Sequence, residues 1–194
     1  MSSDKQLPVQ LDELIAAEYT YIAGTANQAN EDRARVSSFY LIAVGSLVAA
    51  LLGTQIFDPG TITKSINLIF SGVFILLTLL GTSTVIQLAQ LRAAWYESML
   101  AMNQLKDFMV SQHMELAGAF RWTTNTLPAK FKTSSVSYYQ AVEVALISGL
   151  MFGAALFFLQ QVFFAANLLH WAVSAFGGLI AFFIQLDIYK RLLK

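Results

Sequence analysis

The chain contains no cysteine. Disulfides, a thiolate metal site, a thiol nucleophile and a cysteine-anchored lipid are therefore excluded. Charge is scarce as well. Twelve basic and twelve acidic residues among 194 give a net charge of zero and a charged share of 12%, where a soluble domain carries about 25%. The absent basic surplus excludes an ordinary nucleic-acid binder. Proline occurs only at Pro8, Pro59 and Pro128, so the stretches between them lack the strongest helix breaker. What is abundant is apolar: hydrophobic residues make up 56%. That composition excludes disorder and points to a membrane protein.

The charges are spaced in a telling way. Arg35 and Asp58 bracket 22 uncharged residues, Lys64 and Arg92 bracket 27, and Glu143 and Asp187 bracket 43. A helix rises about 1.5 Å per residue and a bilayer core is about 30 Å thick, so one crossing takes about 20 residues. The first two runs hold one crossing each. The third holds two, with a turn at Gln160, Gln161 and Asn167. The expected fold is an all-α integral membrane protein with four transmembrane helices, roughly Ser37–Phe57, Ser65–Gln87, Tyr139–Phe163 and Leu168–Tyr189.

Four crossings place both termini on one side, together with the segment between the second and third helices. That side holds Lys5, Arg33, Arg35, Arg92, Lys106, Arg121, Lys130, Lys132, Lys190, Arg191 and Lys194, and the other holds only Lys64. The positive-inside rule makes the eleven-residue side cytoplasmic. Acids at Asp4, Asp12, Glu13, Glu18, Glu31 and Asp32 are unlike a cleavable signal, so the N-terminus is expected to stay on the chain. Outer connections are short, about Asp58–Lys64 with a turn at Asp58-Pro59-Gly60, and Phe164–Asn167. Tyr40, Tyr138, Tyr139 and Tyr189 fall near the inner interface, a depth that suits amphipathic rings.

Apolar residues at helical spacing continue beyond the first two crossings. Leu11, Leu14, Ile15, Ile22, Ala26 and Ala29 form one stripe. Leu91, Trp95, Met99, Met102, Met109, His113, Leu116 and Phe120 form the other. Both helices are expected to extend into the cytoplasm as an antiparallel, coiled-coil-like stalk. His113 is read as a packing residue of its stripe. The resulting organisation is a cytoplasmic amphipathic helix (1–36), a transmembrane hairpin (37–89), a cytoplasmic helix with a juxtamembrane return loop (90–137), a second hairpin (138–189) and a basic tail (190–194).

Small residues recur every four positions on three of the crossings: Ala141, Ala145, Gly149 and Gly153; Ser174 and Gly178; Gly45 and Ala49. Such rows let helix backbones approach, within a chain or between copies. Glu143 lies about one turn inside Tyr139 and is either an ion-pair partner of Lys190 or Arg191 or an acid at the inner mouth of a cation pore. Asp187 is spaced to pair with Lys190 or Arg191. Lys130, Lys132, Lys190, Arg191 and Lys194 are placed to meet anionic headgroups. The two histidines lie on opposite sides of the membrane and cannot share a metal. There is no HExxH, no phosphate-binding glycine loop, no GxSxG and no paired mid-membrane carboxylates. No catalytic, cofactor or metal site is expected.

One cytoplasmic helix followed by paired crossings resembles the topology of small bacterial membrane effector modules that oligomerise into pores. No residues are carried across on that likeness. The expected function is a non-enzymatic homo-oligomer that organises or curves the cell membrane. The alternatives are an oligomeric ion channel, with Thr78, Thr82, Ser83 and Thr84 beside Glu143 as lining, and an accessory subunit of a larger membrane complex.

Overall fold

The computed structural model describes residues 11–53, 64–165 and 167–194. Four α-helices account for most of them: α1 (Leu11–Gly53), α2 (Lys64–Gln112), α3 (Val136–Phe163) and α4 (Leu168–Leu192). Two short 3-10 turns, Met114–Gly118 and Thr124–Thr126, lie between α2 and α3, and no strand occurs among the described residues. Each of the four helices is long and apolar enough to cross a membrane. The expected turn at Asp58-Pro59-Gly60 and the expected end of the first crossing at Phe57 lie outside the described residues.

The helix ends follow local chemistry. Asp12 and Glu13 occupy the first turn of α1, and Lys190 and Arg191 the last turn of α4, each complementing the helix dipole. Ser135 caps α3 by accepting the Tyr138 N–H at 3.2 Å. Asn167 caps α4 through a reciprocal pair: its Oδ1 accepts the His170 N–H at 3.1 Å, and His170 Nδ1 accepts the Asn167 N–H at 3.2 Å. His170 is thus a buried capping residue.

Two expectations shift. The second apolar stripe was expected to stay helical through Phe120, but α2 ends at Gln112 and the chain tightens into the 3-10 turn. His113 leaves helical geometry with φ −134° and ψ 85°. It is exposed rather than packed, with Nδ1 3.4 Å from Glu115 Oε1. Gln160 and Gln161 remain within α3 instead of forming a turn. Gln160 stays there because its Nε2 finds acceptors in the Leu156 carbonyl and the Ser174 hydroxyl.

α2 is the hub, packing against α1, α3 and α4, whereas the α1 and α4 backbones do not approach each other among the described residues. Each sequential pair is antiparallel. Thr25 meets Ser98 and Tyr40 abuts Gly81 between α1 and α2. Ser71 donates to the Ala155 carbonyl and Ser148 to the Thr78 carbonyl between α2 and α3. Ser137 bonds Tyr189, and Gly149 touches Gly178, between α3 and α4. At 1.5 Å per residue α1 is about 65 Å long and α2 about 73 Å. Both exceed a bilayer core by about 35–45 Å.

The surface is inverted relative to a water-soluble bundle. Phe39, Ile42, Leu76, Leu79, Phe176 and Phe183 are all exposed, while Ser71, Thr78, Ser137, Ser148 and Gln185 are buried. In water such a face would be an association or aggregation hazard. In lipid it is the expected arrangement, since hydrocarbon tails are as apolar as the side chains they touch.

Candidate functional site

Three features stand out in the interior, beginning with the seam between α3 and α4. An added Cβ at Gly149 would sit 2.7 Å from the Gly178 carbonyl oxygen, and one at Gly178 would sit 2.7 Å from the Gly149 carbonyl oxygen. At Gly153 it would meet the Ser174 carbonyl oxygen at 2.9 Å. The rows at 149/153 and 174/178 therefore close on each other within one chain. Ala141 and Ala145 extend the α3 row into the core that also holds Val85, Leu88 and Ala89. The Gly45 and Ala49 row is exposed, with open space over Gly45.

The second feature is a neutral polar cluster inside the bundle. Gln185 Nε2 on α4 donates to Ser148 Oγ at 2.8 Å and to Thr82 Oγ1 at 3.1 Å. Ser148 in turn donates to the Thr78 carbonyl at 3.1 Å. Tyr40 reaches the same point from α1, its ring fully buried and its hydroxyl against Gly81. A Cβ on Gly81 would lie 2.5 Å from Ser148 Oγ and 2.7 Å from Tyr40 Oη, so the position has room only for glycine. Tyr40 Oη and Gln185 Oε1 keep no hydrogen bond of normal geometry. Thr78, Thr82 and Thr84 donate to helical carbonyls of Phe74, Thr78 and Leu80. Those three hydroxyls are bonded to the backbone of their own helix, and Ser83 is exposed.

The third feature lies one helical layer further along. Arg33 of α1 and Arg92 of α2 are buried, at 9% and 7% exposure. Arg33 donates from Nη2 to Asn30 Oδ1. Arg92 Nε donates to the Lys130 carbonyl at 3.2 Å, and its guanidinium lies 4.3 Å above the Trp95 ring. Tyr189 of α4, held by a 2.8 Å hydrogen bond with Ser137 of α3, lies within electrostatic reach of both guanidiniums. Burial lowers the affinity of both guanidiniums for their proton, and at Arg33 the neighbouring Arg92 charge lowers it further. All four helices contribute to this layer.

The remaining sequence candidates are dispersed. Glu143 is exposed on α3, and no basic group lies within ion-pair distance of it among the described residues. Of its two expected partners, Arg191 is bound to Asp187 at 2.5 Å and Lys190 forms no ion pair among the described residues. Lys132, Lys190, Arg191 and Lys194 are exposed, and Lys130 is half-buried. Of the four tyrosines expected at the inner interface, Tyr139 is exposed and Tyr138 half-buried. Tyr40 and Tyr189 are core residues, because each hydroxyl is drawn inward to a polar cluster. Sequence reasoning missed Gln185, Ser148 and the arginine pair. The available signal was polar residues opposite one another once the antiparallel registers are fixed.

Set against family models, curated proteins and solved structures, the chain matches none of them.

Proposed function

We propose that the chain is a non-enzymatic, multi-pass protein of the cell membrane that self-associates and shapes or organises the bilayer. Its four helices cross the membrane, with both termini and the α2–α3 connection in the cytoplasm. The split of eleven basic residues against one supports that orientation. Beyond the spans, α1 and α2 run on together as a stalk.

One observation carries the self-association. Apolar side chains stay exposed on the stalk, far from any span: Leu11, Leu14 and Tyr21 on α1, Phe108 on α2, and Met114 and Trp122 beyond it. Leu14 lies 23 residues before Ser37, which is about 35 Å along a helix. Lipid tails cannot cover it there, and an uncovered apolar surface in water marks a contact face. A second copy of the chain presents the same surface. Because α1 and α2 pass the membrane boundary without a break, the tilt fixed between neighbouring stalks is passed to the spans, which imposes curvature.

Reconstitution at high protein density tests the reading: deformed liposomes without conductance support it, and spherical, unchanged liposomes contradict it. The orientation has its own test, made simple by the absence of cysteine. Single cysteines replacing Ser111, Ser134 or Lys194 should react with a membrane-impermeant maleimide only after the cells are opened. One replacing Asn167 should react on intact cells. The reverse pattern inverts the topology.

A second reading, an ion-conducting oligomer, rests on Glu143, which is exposed on α3 without a counter-ion among the described residues. Bilayer recordings that find a conductance altered by Glu143→Gln would favour it. A third, an accessory subunit, predicts a stoichiometric partner on purification from native membranes.

A further inference from the structure

Arg33 and Arg92 share one buried layer, and no carboxylate lies within ion-pair distance of either among the described residues. Asp32, the acid adjacent in sequence, is turned to Arg35 at 3.1 Å. The partners the two arginines do have are neutral: Asn30 Oδ1 and the Lys130 carbonyl. Arg33 Nε is sealed from solvent and has no hydrogen bond. Arg92 hydrogen-bonds only through its Nε among the described residues, and its guanidinium face rests on the neutral Trp95 ring. Tyr189, within electrostatic reach of both, has its hydroxyl bonded to Ser137.

Burying a cation without a counter-charge is costly, and two adjacent like cations add repulsion to that cost. The layer persists because the four helices converge on it, yet its charge is unbalanced. An oxyanion restores the balance. A phosphate group suits the donor chemistry, because guanidinium forks present paired N–H donors that match its oxygens. Lys130, in the same connecting loop, and Lys190, one residue beyond Tyr189, add positive charge at this end of the bundle.

We propose that Arg33 and Arg92 form a binding site for a phosphate oxyanion, with the Lys130 carbonyl fixing the Nε edge of Arg92. At the inner boundary of the spans this group is presented by the headgroup of an anionic phospholipid, and a soluble phosphate compound presents the same chemistry. The headgroup depth rests on the membrane reading above. The need for an anion rests on the arginine pair alone.

The test uses the full chain in neutral detergent, followed by thermal unfolding during titration with dioleoylphosphatidylglycerol, dioleoylphosphatidylcholine or inorganic phosphate. Phosphatidylglycerol should raise the wild-type Tm by about 5–10 °C at a hundredfold excess over its Kd, and phosphatidylcholine should not. Arg33→Gln and Arg92→Gln should lose the response, and Arg33→Lys should keep part of it. A Tm rise with inorganic phosphate in place of phosphatidylglycerol assigns the site to a soluble phosphate ligand. Native mass spectrometry of the wild type, counting retained lipid, decides the matter should the glutamine variants not fold. A wild type that neither shifts with any anion nor retains phosphatidylglycerol over phosphatidylcholine overturns the proposal, as do glutamine variants that respond like wild type. A protein that binds the anion yet is monomeric overturns the scaffold reading and leaves the site standing.

Discussion

Where α3 meets α4, an added Cβ on Gly149 or Gly178 would stand 2.7 Å from the opposite carbonyl oxygen, whereas Gly24 and Gly45 of α1 face open space. The same residue type therefore plays opposite parts on α1 and at the α3–α4 seam. The α3–α4 seam is set by backbone contact, and α4 cannot move outward without opening it. The α1–α2 seam is set by side chains: Ile22, Ala26, Ala29 and Tyr40 fill it, with Thr25 and Ser98 joined at 3.1 Å. Small residues there leave a surface row rather than a seam. The lesson is that spacing of four announces a capacity for close approach, and the neighbouring helix decides whether the capacity is used.

The strongest test of that contrast is Gly178→Val. Its Cβ would meet a carbonyl, which cannot rotate away as a side chain does. Overpacking of this kind costs about 3 kcal/mol, visible as a large loss of thermal stability in detergent. An unchanged Tm would mean that the seam is loose.

Gln185→Leu sits between the extremes. It removes the donor to Ser148 and Thr82, and membrane hydrogen bonds average about 0.6 kcal/mol each. The expected loss is about 1 kcal/mol, softened because the unpartnered Oε1 disappears as well. The smallest effect is expected at Gly45→Ala. With nothing within 4 Å of the added carbon, the change should leave the fold intact and raise stability by up to about 1 kcal/mol through helix propensity. A destabilisation there comparable to Gly178→Val would erase the difference between the two rows.

Much of this architecture was legible in the sequence. The charge-free runs located all four long helices, because few other constraints produce 22, 27 and 43 uncharged residues in succession. The absence of proline between Pro8 and Pro59 foretold the unbroken α1. The end of α2 was not legible. Leu116 and Phe120 keep a helical phase, but the chain leaves the helix at His113 with φ −134° and ψ 85°, a break that apolar spacing does not encode. The candidate site was less legible still. Arg33 and Arg92 lie 59 positions apart, and on a count of charges both read as inner anchors. Only the antiparallel register of α1 on α2 brings them into one layer, and only burial separates them from the exposed Lys190 and Arg191. Glutamines near helix ends likewise read as inexpensive polar termini, whereas Gln185 is inside the bundle and bridges two helices.

In the proposed assembly, further copies of the chain cover the exposed stalk surface. The mass of the particle in mild detergent tests it most directly. A discrete multiple of the 21.4 kDa chain that persists on dilution is expected. A single 21.4 kDa species at every protein concentration would contradict it.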